Sequence, residues 1–302
     1  MDLDLGRDHT GGSSSLADQF LDSLRQWAEV DRSPTAPAMR QALIPFLRDA
    51  QAAQPSMALV HQLAARALEI VETAAAREAT AVEARQALEQ SCEAERKDLE
   101  AGRRGVARMA VELLTERGGW IATLSQSANV RDALIEAHRQ EKAVQVLIGE
   151  GRPLLEGREM AAVLGAAGIP TWLVVDAALP LLAAGASQVW LGADAVTDRG
   201  VLNKIGSYAL ALAARERSIP VYVLAERRKF LPAPTRALKI REMPREEVWE
   251  ETPAGVQARN VYFELIPAEL IRGVVVEDGV LGSTEVAAVA RDRPLPAELA
   301  GA

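Results

Sequence analysis

Cysteine is almost missing from this sequence. Cys92 stands alone in 302 residues, so no internal disulfide can form and no thiolate zinc site can be anchored. Long apolar runs are missing too: none reaches the roughly 18 residues needed to span a bilayer. The N-terminus, MDLDLGRDHTGGSSS, has neither the basic start nor the apolar stretch of a signal peptide. Positive charge is outnumbered, with 34 Lys+Arg against 42 Asp+Glu and a net charge of −8. That balance weighs against a protein that holds nucleic acid by nonspecific attraction to its backbone. Gly-x-Gly-x-x-Gly and P-loop fingerprints are lacking, and no internal repeat is present. The expectation is a soluble cytoplasmic protein with no membrane partner.

What is present is globular: 49% hydrophobic and 25% charged residues, over a length that suits two domains better than one. Residues 1–15 are Gly/Ser-rich without an apolar period and read as a disordered tail. Residues 16–117 read as a helical domain. Phe20, Leu24 and Trp27 share one helical face, and Met39, Leu43, Phe46 and Leu47 resume the rhythm after Pro34 and Pro37. Leu59, Leu63, Leu68 and Val71 continue it after Pro55. The charged stretch 72–100 reads as a solvated helix face or, alternatively, a subunit contact.

From Gly118-Gly119 the pattern changes. Short apolar runs at 120–124, 144–148, 171–175, 188–191 and 221–224 alternate with amphipathic segments after Asn129, after Arg152, at 177–184 and at 203–217. Such alternation implies βαβ units and a mostly parallel sheet with helices on both faces. This α/β domain spans 118–290, includes an irregular excursion at 227–260 and a further strand at 261–266, and leaves 291–302 as a frayed tail.

The five runs lead into Ser125, Glu150, Asp176, Asp194 and Glu226. In an open parallel sheet, ligands bind beyond the carboxyl ends of the strands, where helix N-termini also point. Three stretches sharpen this. Thr123–Ser127 joins strand to helix, and its hydroxyls can cap the helix or help hold a phosphate. Gly149–Gly157 adds Arg152, and guanidinium suits bidentate phosphate recognition. Gly192-Ala193-Asp194 precedes Asn203-Lys204-Ile205-Gly206-Ser207. Asp194 acts as a general acid there if desolvation outweighs the opposing pull of a nearby lysine; otherwise Asp194 and Lys204 form a structural pair.

Those residues, in that order, together with Phe263–Pro267 and Pro55–Ala58, resemble the family of the alpha, beta and delta subunits of translation initiation factor 2B. The same family includes methylthioribose-1-phosphate isomerase and ribose-1,5-bisphosphate isomerase. The resemblance covers roughly residues 40–285. It implies an N-terminal helical domain on a Rossmann-like domain, assembled as a homodimer or larger, binding a phosphorylated sugar or nucleotide, with no cofactor. In the isomerase branches a cysteine and an aspartate open a furanose 1-phosphate and move a proton between C1 and C2. The aspartate matches Asp194, and Ser127, Arg152, Glu156, Asn203 and Lys204 match substrate-binding positions. Two positions depart from the pattern. Ser125 replaces the cysteine, and an aliphatic alcohol is a far weaker acid than a thiol and needs an adjacent base, while His9, His61 and His138 all lie outside these motifs. Glu156 stands where the methylthioribose branch has glutamine, and a carboxylate beside an anionic substrate costs affinity unless Arg152 or Arg158 pairs with it. The expectation is a sugar-phosphate pocket that is noncatalytic or of altered chemistry; the alternative is an active aldose-ketose isomerase with Asp194 as acid.

Overall fold

The computed structural model describes residues 12–115, 119–232 and 240–300. The chain divides into two compact units. Among the described residues, one comprises 12–101 and 293–300, the other 102–115, 119–232 and 240–292.

The first unit contains α1 (Ser13–Val30), α2 (Ala36–Ala53), α3 (Ala58–Ala76) and most of α4 (Ala81–Val111). The apolar faces expected from periodicity are buried: Phe20 and Leu24 on α1, Met39, Leu43 and Leu47 on α2, Leu59, Leu63, Leu68 and Val71 on α3. Thr35 caps α2 through the N–H of Ala38, with Pro37 in the first turn where its missing donor costs nothing. The charged stretch is more than a solvated face. Ala84, Leu88, Cys92 and Leu99 recur along one side of α4 and are buried. On its flank, Arg96 pairs with Asp18 and Asp22 at 3.1 and 2.6 Å, and Arg85 with Asp31 at 2.9 Å. Small apolar residues spaced among charges hid this stripe from the sequence reading.

Two terminal expectations need amendment. Residues 1–11 lie outside the described residues, but Ser13–Ser15 already form the first turn of α1. The C-terminal stretch is held down to Ala300: Leu299 is fully buried, Glu298 pairs with Arg40, and Arg48 donates to the Glu298 carbonyl at 2.8 Å. Leu295 and Leu299, both buried, are enough to anchor so short a segment, and they carry too little pattern to reveal it.

The second unit begins with the last turns of α4. Its elements are β1 (Gly119–Leu124), α5 (Ala128–Arg139), β2 (Val144–Gly149), α6 (Glu156–Ala166), β3 (Thr171–Val174), α7 (Leu179–Leu182), β4 (Gln188–Leu191), β5 (Ala195–Thr197), β6 (Gly200–Lys204), α8 (Ser207–Glu216), β7 (Val221–Leu224), β8 (Phe263–Pro267), β9 (Gly273–Val276), β10 (Gly279–Leu281) and α9 (Ser283–Arg291). The main sheet runs β10-β9-β7-β4-β1-β2-β3, parallel except for β10. Its six parallel strands have the doubly wound order 3-2-1-4-5-6.

Alternate residues of each strand feed separate cores, as the two-residue period requires. Ala122, Leu147, Val189, Leu191 and Val223 join α7, α8 and α9 on one face. Ile121, Val146, Ile148 and Trp190 join the end of α4, α5 and α6 on the other. Helices therefore cover both faces, and the strands read as continuous apolar runs for that reason.

One element departs from the sequence reading. Asn203 and Lys204 do not open a helix; they end β6, which pairs antiparallel with β5 and with β8 in a separate three-stranded sheet. The pairing of Asn203 with Glu264 and Lys204 with Phe263 spans about sixty residues, beyond the reach of any local signal. The helix, α8, begins at Ser207. Gly118 lies outside the described residues, and Gly119 belongs to β1. Among the described residues no helix is long and apolar enough to cross a membrane.

Candidate functional site

After β1 the chain winds outward through β2 and β3; after β4 it winds the other way through β7 and β9. The carboxyl ends of β1 and β4, paired neighbours, therefore form the switch point of the sheet, where connections diverge and leave a crevice. Ser125 follows β1 and Asp194 closely follows β4.

The other three rim carboxylates have local work. Glu150 receives Arg158 at 2.8 Å. Asp176 receives the backbone N–H groups of Gly151 and Arg152 at 2.8 and 2.7 Å, and so fixes the loop after β2. Glu226 pairs with Lys229. Ser125 and Asp194 remain at the switch point itself.

Glycine lets the loops approach each other. A Cβ on Gly157 would lie 2.0 Å from the carbonyl oxygen of Gly149, so the first turn of α6 can seat on the end of β2 only with hydrogen at that position. Gly151 has φ +77°, a left-handed conformation that suits glycine. Its open Cα face meets Glu156 Oε2 and Ser125, which lie 3.1 and 3.3 Å from where a Cβ would be. A Cβ on Gly192 would strike Ser127 Oγ at 2.6 Å, which sets the end of β4 against the start of α5. Ser125 itself is buried and has φ +63°, a conformation costing a non-glycine residue about 1 kcal/mol or more.

Asp194 is partly accessible, yet the protein packed around it desolvates its carboxyl and pushes its pKa up to about 6. Lys229 and then Lys204 pull the other way, and Glu156 adds to the rise. Burial thus outweighs the cations, the condition for an acid poised near neutrality.

Lys204 Nζ lies 2.6 Å from Glu156 Oε1, with side-chain exposures of 7% and 14%. The partner of Glu156 is therefore Lys204, and neither Arg152 nor Arg158 fills that role. Lys204 also sits 4.8 Å from the centre of the Tyr262 ring, within cation–π range. Glu156 Oε2 is buried without a protein partner. Asn203, buried on β6, donates through Nδ2 to Ser207 Oγ at 2.9 Å, and Ser207 donates to the Lys204 carbonyl at 2.6 Å.

Ser127 performs the capping alternative: its Oγ accepts from Val130 N at 3.5 Å at the start of α5. Arg152 is exposed, and its guanidinium donates to the Val248 and Glu247 carbonyls at 3.2 and 3.5 Å. The Glu247 carboxylate in turn receives Tyr262 Oη and Asn260 Nδ2. Burial and that carboxylate hold the Tyr262 phenol firmly protonated, far above its ordinary pKa. Arg152 is thus linked to the Lys204 wall through Glu247 and Tyr262.

Among the described residues no imidazole serves as a base for Ser125. His138 lies in the last turn of α5, about 15 Å along the helix from its first residue, Ala128. His61 belongs to the helical unit, its Nε2 against the Pro55 carbonyl, and burial lowers its pKa to about 4. His9 is outside the described residues. Cys92 is buried in α4 and its thiol is pushed up to about 11, mainly by desolvation. Among the described residues no cluster of three or more His, Cys, Asp or Glu side chains is arranged to hold a metal ion.

Sequence reasoning missed Lys229, Asn129, Glu247 and Tyr262. Only Lys229 left a usable trace, since it follows the flagged Glu226 by three residues in a short helical turn.

Comparison with known proteins gives a consistent result. The model of the Initiation factor 2 subunit family matches residues 9–283. A Pyrococcus horikoshii protein described as translation initiation factor eIF-2B subunit 2-like is 34% identical over 184 residues, 61% of this chain and 64% of its own length. The methylthioribose-1-phosphate isomerase of Yersinia enterocolitica is 39% identical over 170 residues, 51% and 49% of the two chains. Each match spans less than two thirds of the relative. Among solved structures, the Pyrococcus horikoshii translation initiation factor eIF-2B superposes with a TM-score of 0.78 at 28% identity, over 92% of this chain and 94% of that one. The 5-methylthioribose 1-phosphate isomerase of the same organism, at 20% identity, shares the fold with a TM-score of 0.75 over 96% and 85%.

Proposed function

This chain belongs to the Initiation factor 2 subunit family, and on that premise we propose that the crevice between β1 and β4 binds a small phosphorylated sugar of the ribose 1-phosphate or 1,5-bisphosphate type. The observation that carries the reading is the company of Asp194: a desolvated carboxyl with two buried lysines acting on it, at the switch point of the sheet. Two ammonium groups suit a multiply charged anion, and a carboxyl that keeps its proton to about pH 6 can donate to a sugar oxygen.

The pocket is read as one for binding ahead of turnover, because neither described histidine, His61 nor His138, stands beside Ser125, and an alcohol is a poor proton acceptor on its own. Glu156 supports the same view. It already occupies Lys204, so a phosphate must displace or share an internal carboxylate. A binding role in an assembly follows, with the chain as part of a homodimer or larger complex.

Calorimetry with ribose 1,5-bisphosphate, methylthioribose 1-phosphate and a nucleoside monophosphate tests this. Saturable heat from a phosphosugar that disappears in Lys204→Met is expected; no heat from any of them, with native circular dichroism, overturns it. A second reading, an aldose-ketose isomerase, is favoured by one feature: the raised pKa of Asp194 is what a general acid needs. Ketose formed by the unaltered protein at high loading supports that reading, and turnover gained only in Ser125→Cys supports the binding role.

A further inference from the structure

Asn129, Glu226 and Lys229 are 0%, 1% and 3% exposed. Asn129 Nδ2 donates to Glu226 Oε2 at 2.9 Å, and Lys229 Nζ stands 3.5 Å from the same oxygen. Each is fixed by a different element. Asn129 is in the first turn of α5, Glu226 follows β7, and Lys229 closes a helical turn at Arg227–Lys229. The next two residues run along β5: Phe230 bridges Val196 in parallel, and Leu231 N donates to the Val196 carbonyl at 2.9 Å. Counted back from Phe230 and Val196, this parallel register sets Lys229 opposite Ala195, the neighbour of Asp194, and the Lys229 charge acts on the Asp194 carboxyl.

A buried lysine has a long flexible stem, about 2 kcal/mol of rotamer entropy to lose, and a charge that must be compensated. A carboxylate with a fixed plane meets both needs. We infer that Asn129 and Glu226 are positioning residues that hold the Lys229 ammonium toward Asp194 and so govern when that carboxyl carries its proton. Lys229 is the stronger of the two cations acting on Asp194; Lys204, already paired with Glu156, comes second. Among the described residues, the charges that act on the Asp194 carboxyl are those of Lys229, Lys204 and Glu156. Behind Glu226 stands Glu277, which accepts the backbone N–H of Arg227 and lies, with Glu226, against Gly102 of α4.

The inference deepens the reading of Asp194 as the proton-carrying group of the pocket. Its test needs no ligand, so it fails separately from sugar-phosphate binding. The full chain is labelled with aspartate carrying ¹³C in the carboxyl group and titrated by NMR, with Asp194 identified by the signal lost in Asp194→Asn. Lys229→Met is expected to raise the Asp194 midpoint by about one unit, the scale of a lost neighbouring cation. Lys229→Arg is expected to leave it near the wild-type value. Asn129→Ala changes no charge, so a rise there reports a displaced Lys229. Glu226→Gln separates the mechanisms by sign. Removing a carboxylate from a rigid array lowers the midpoint, whereas releasing an ammonium that depended on it raises the midpoint. A rise in Asn129→Ala and Glu226→Gln supports the inference. A fall in Glu226→Gln, or an unmoved midpoint in a natively folded Asn129→Ala, overturns it. Should Asn129→Ala fail to fold, Glu226→Gln decides by its sign.

Discussion

Replacing Asp194 with asparagine should make the α/β unit more stable at neutral pH and leave it nearly unchanged in acid. The reasoning is linkage. The Asp194 pKa lies near 6 in the folded chain against an ordinary 3.8, so between those values the folded state binds more protons than the unfolded one. Stability is therefore lost as pH rises through that window, and the full cost of the desolvated charge is present above it. A displacement of roughly two on the pKa scale corresponds to about 3 kcal/mol at 1.36 kcal/mol each, and nearer 2 kcal/mol once water at the partly accessible carboxylate is allowed for. Asparagine keeps the shape and removes the charge. Urea unfolding of both proteins at pH 4 and pH 7.5, followed by a probe in the α/β unit, gives the stability difference at each pH. Contributions that do not titrate cancel between the two. A difference that grows by about 2–3 kcal/mol toward pH 7.5 is expected. A flat difference, or one that shrinks, would show that Asp194 is well solvated and would remove the physical case for its acid role.

Glu156→Gln should tighten binding of a phosphorylated sugar by about tenfold in calorimetry, because it frees Lys204 and removes a like charge; weaker binding would make Glu156 a ligand acceptor instead. Gly157→Ala should cost about 3 kcal/mol or more in urea unfolding, since its methyl would collide with the Gly149 carbonyl. A loss under 1 kcal/mol would mean that α6 is free to shift. Leu299→Ala should destabilise the helical unit by about 2–5 kcal/mol, as deletion of a fully buried leucine does. A neutral result would show that the C-terminal stretch is not packed in solution.

The architecture was legible because its signals are local. Apolar runs of four to six residues alternating with amphipathic segments gave five of the six parallel strands, and Gln188–Leu191 and Val221–Leu224 match residue for residue. Gly273–Val276 is as apolar as these but follows a long irregular stretch, so no βαβ rhythm announced it. Ser125 and Asp194 were visible because polar residues within a few positions of a buried strand's end stand out.

The sequence by itself determined the layers, the family motifs and the rim on which the polar residues collect, since each depends on neighbours within a turn or a strand. Tertiary structure alone decided the partnerships: Lys204 with Glu156 across 48 positions, Asn129 with Glu226 across 97. Electrostatic pairing depends on distance in space, and the balance of burial against charge at Asp194 exists only after distant segments have excluded water from it.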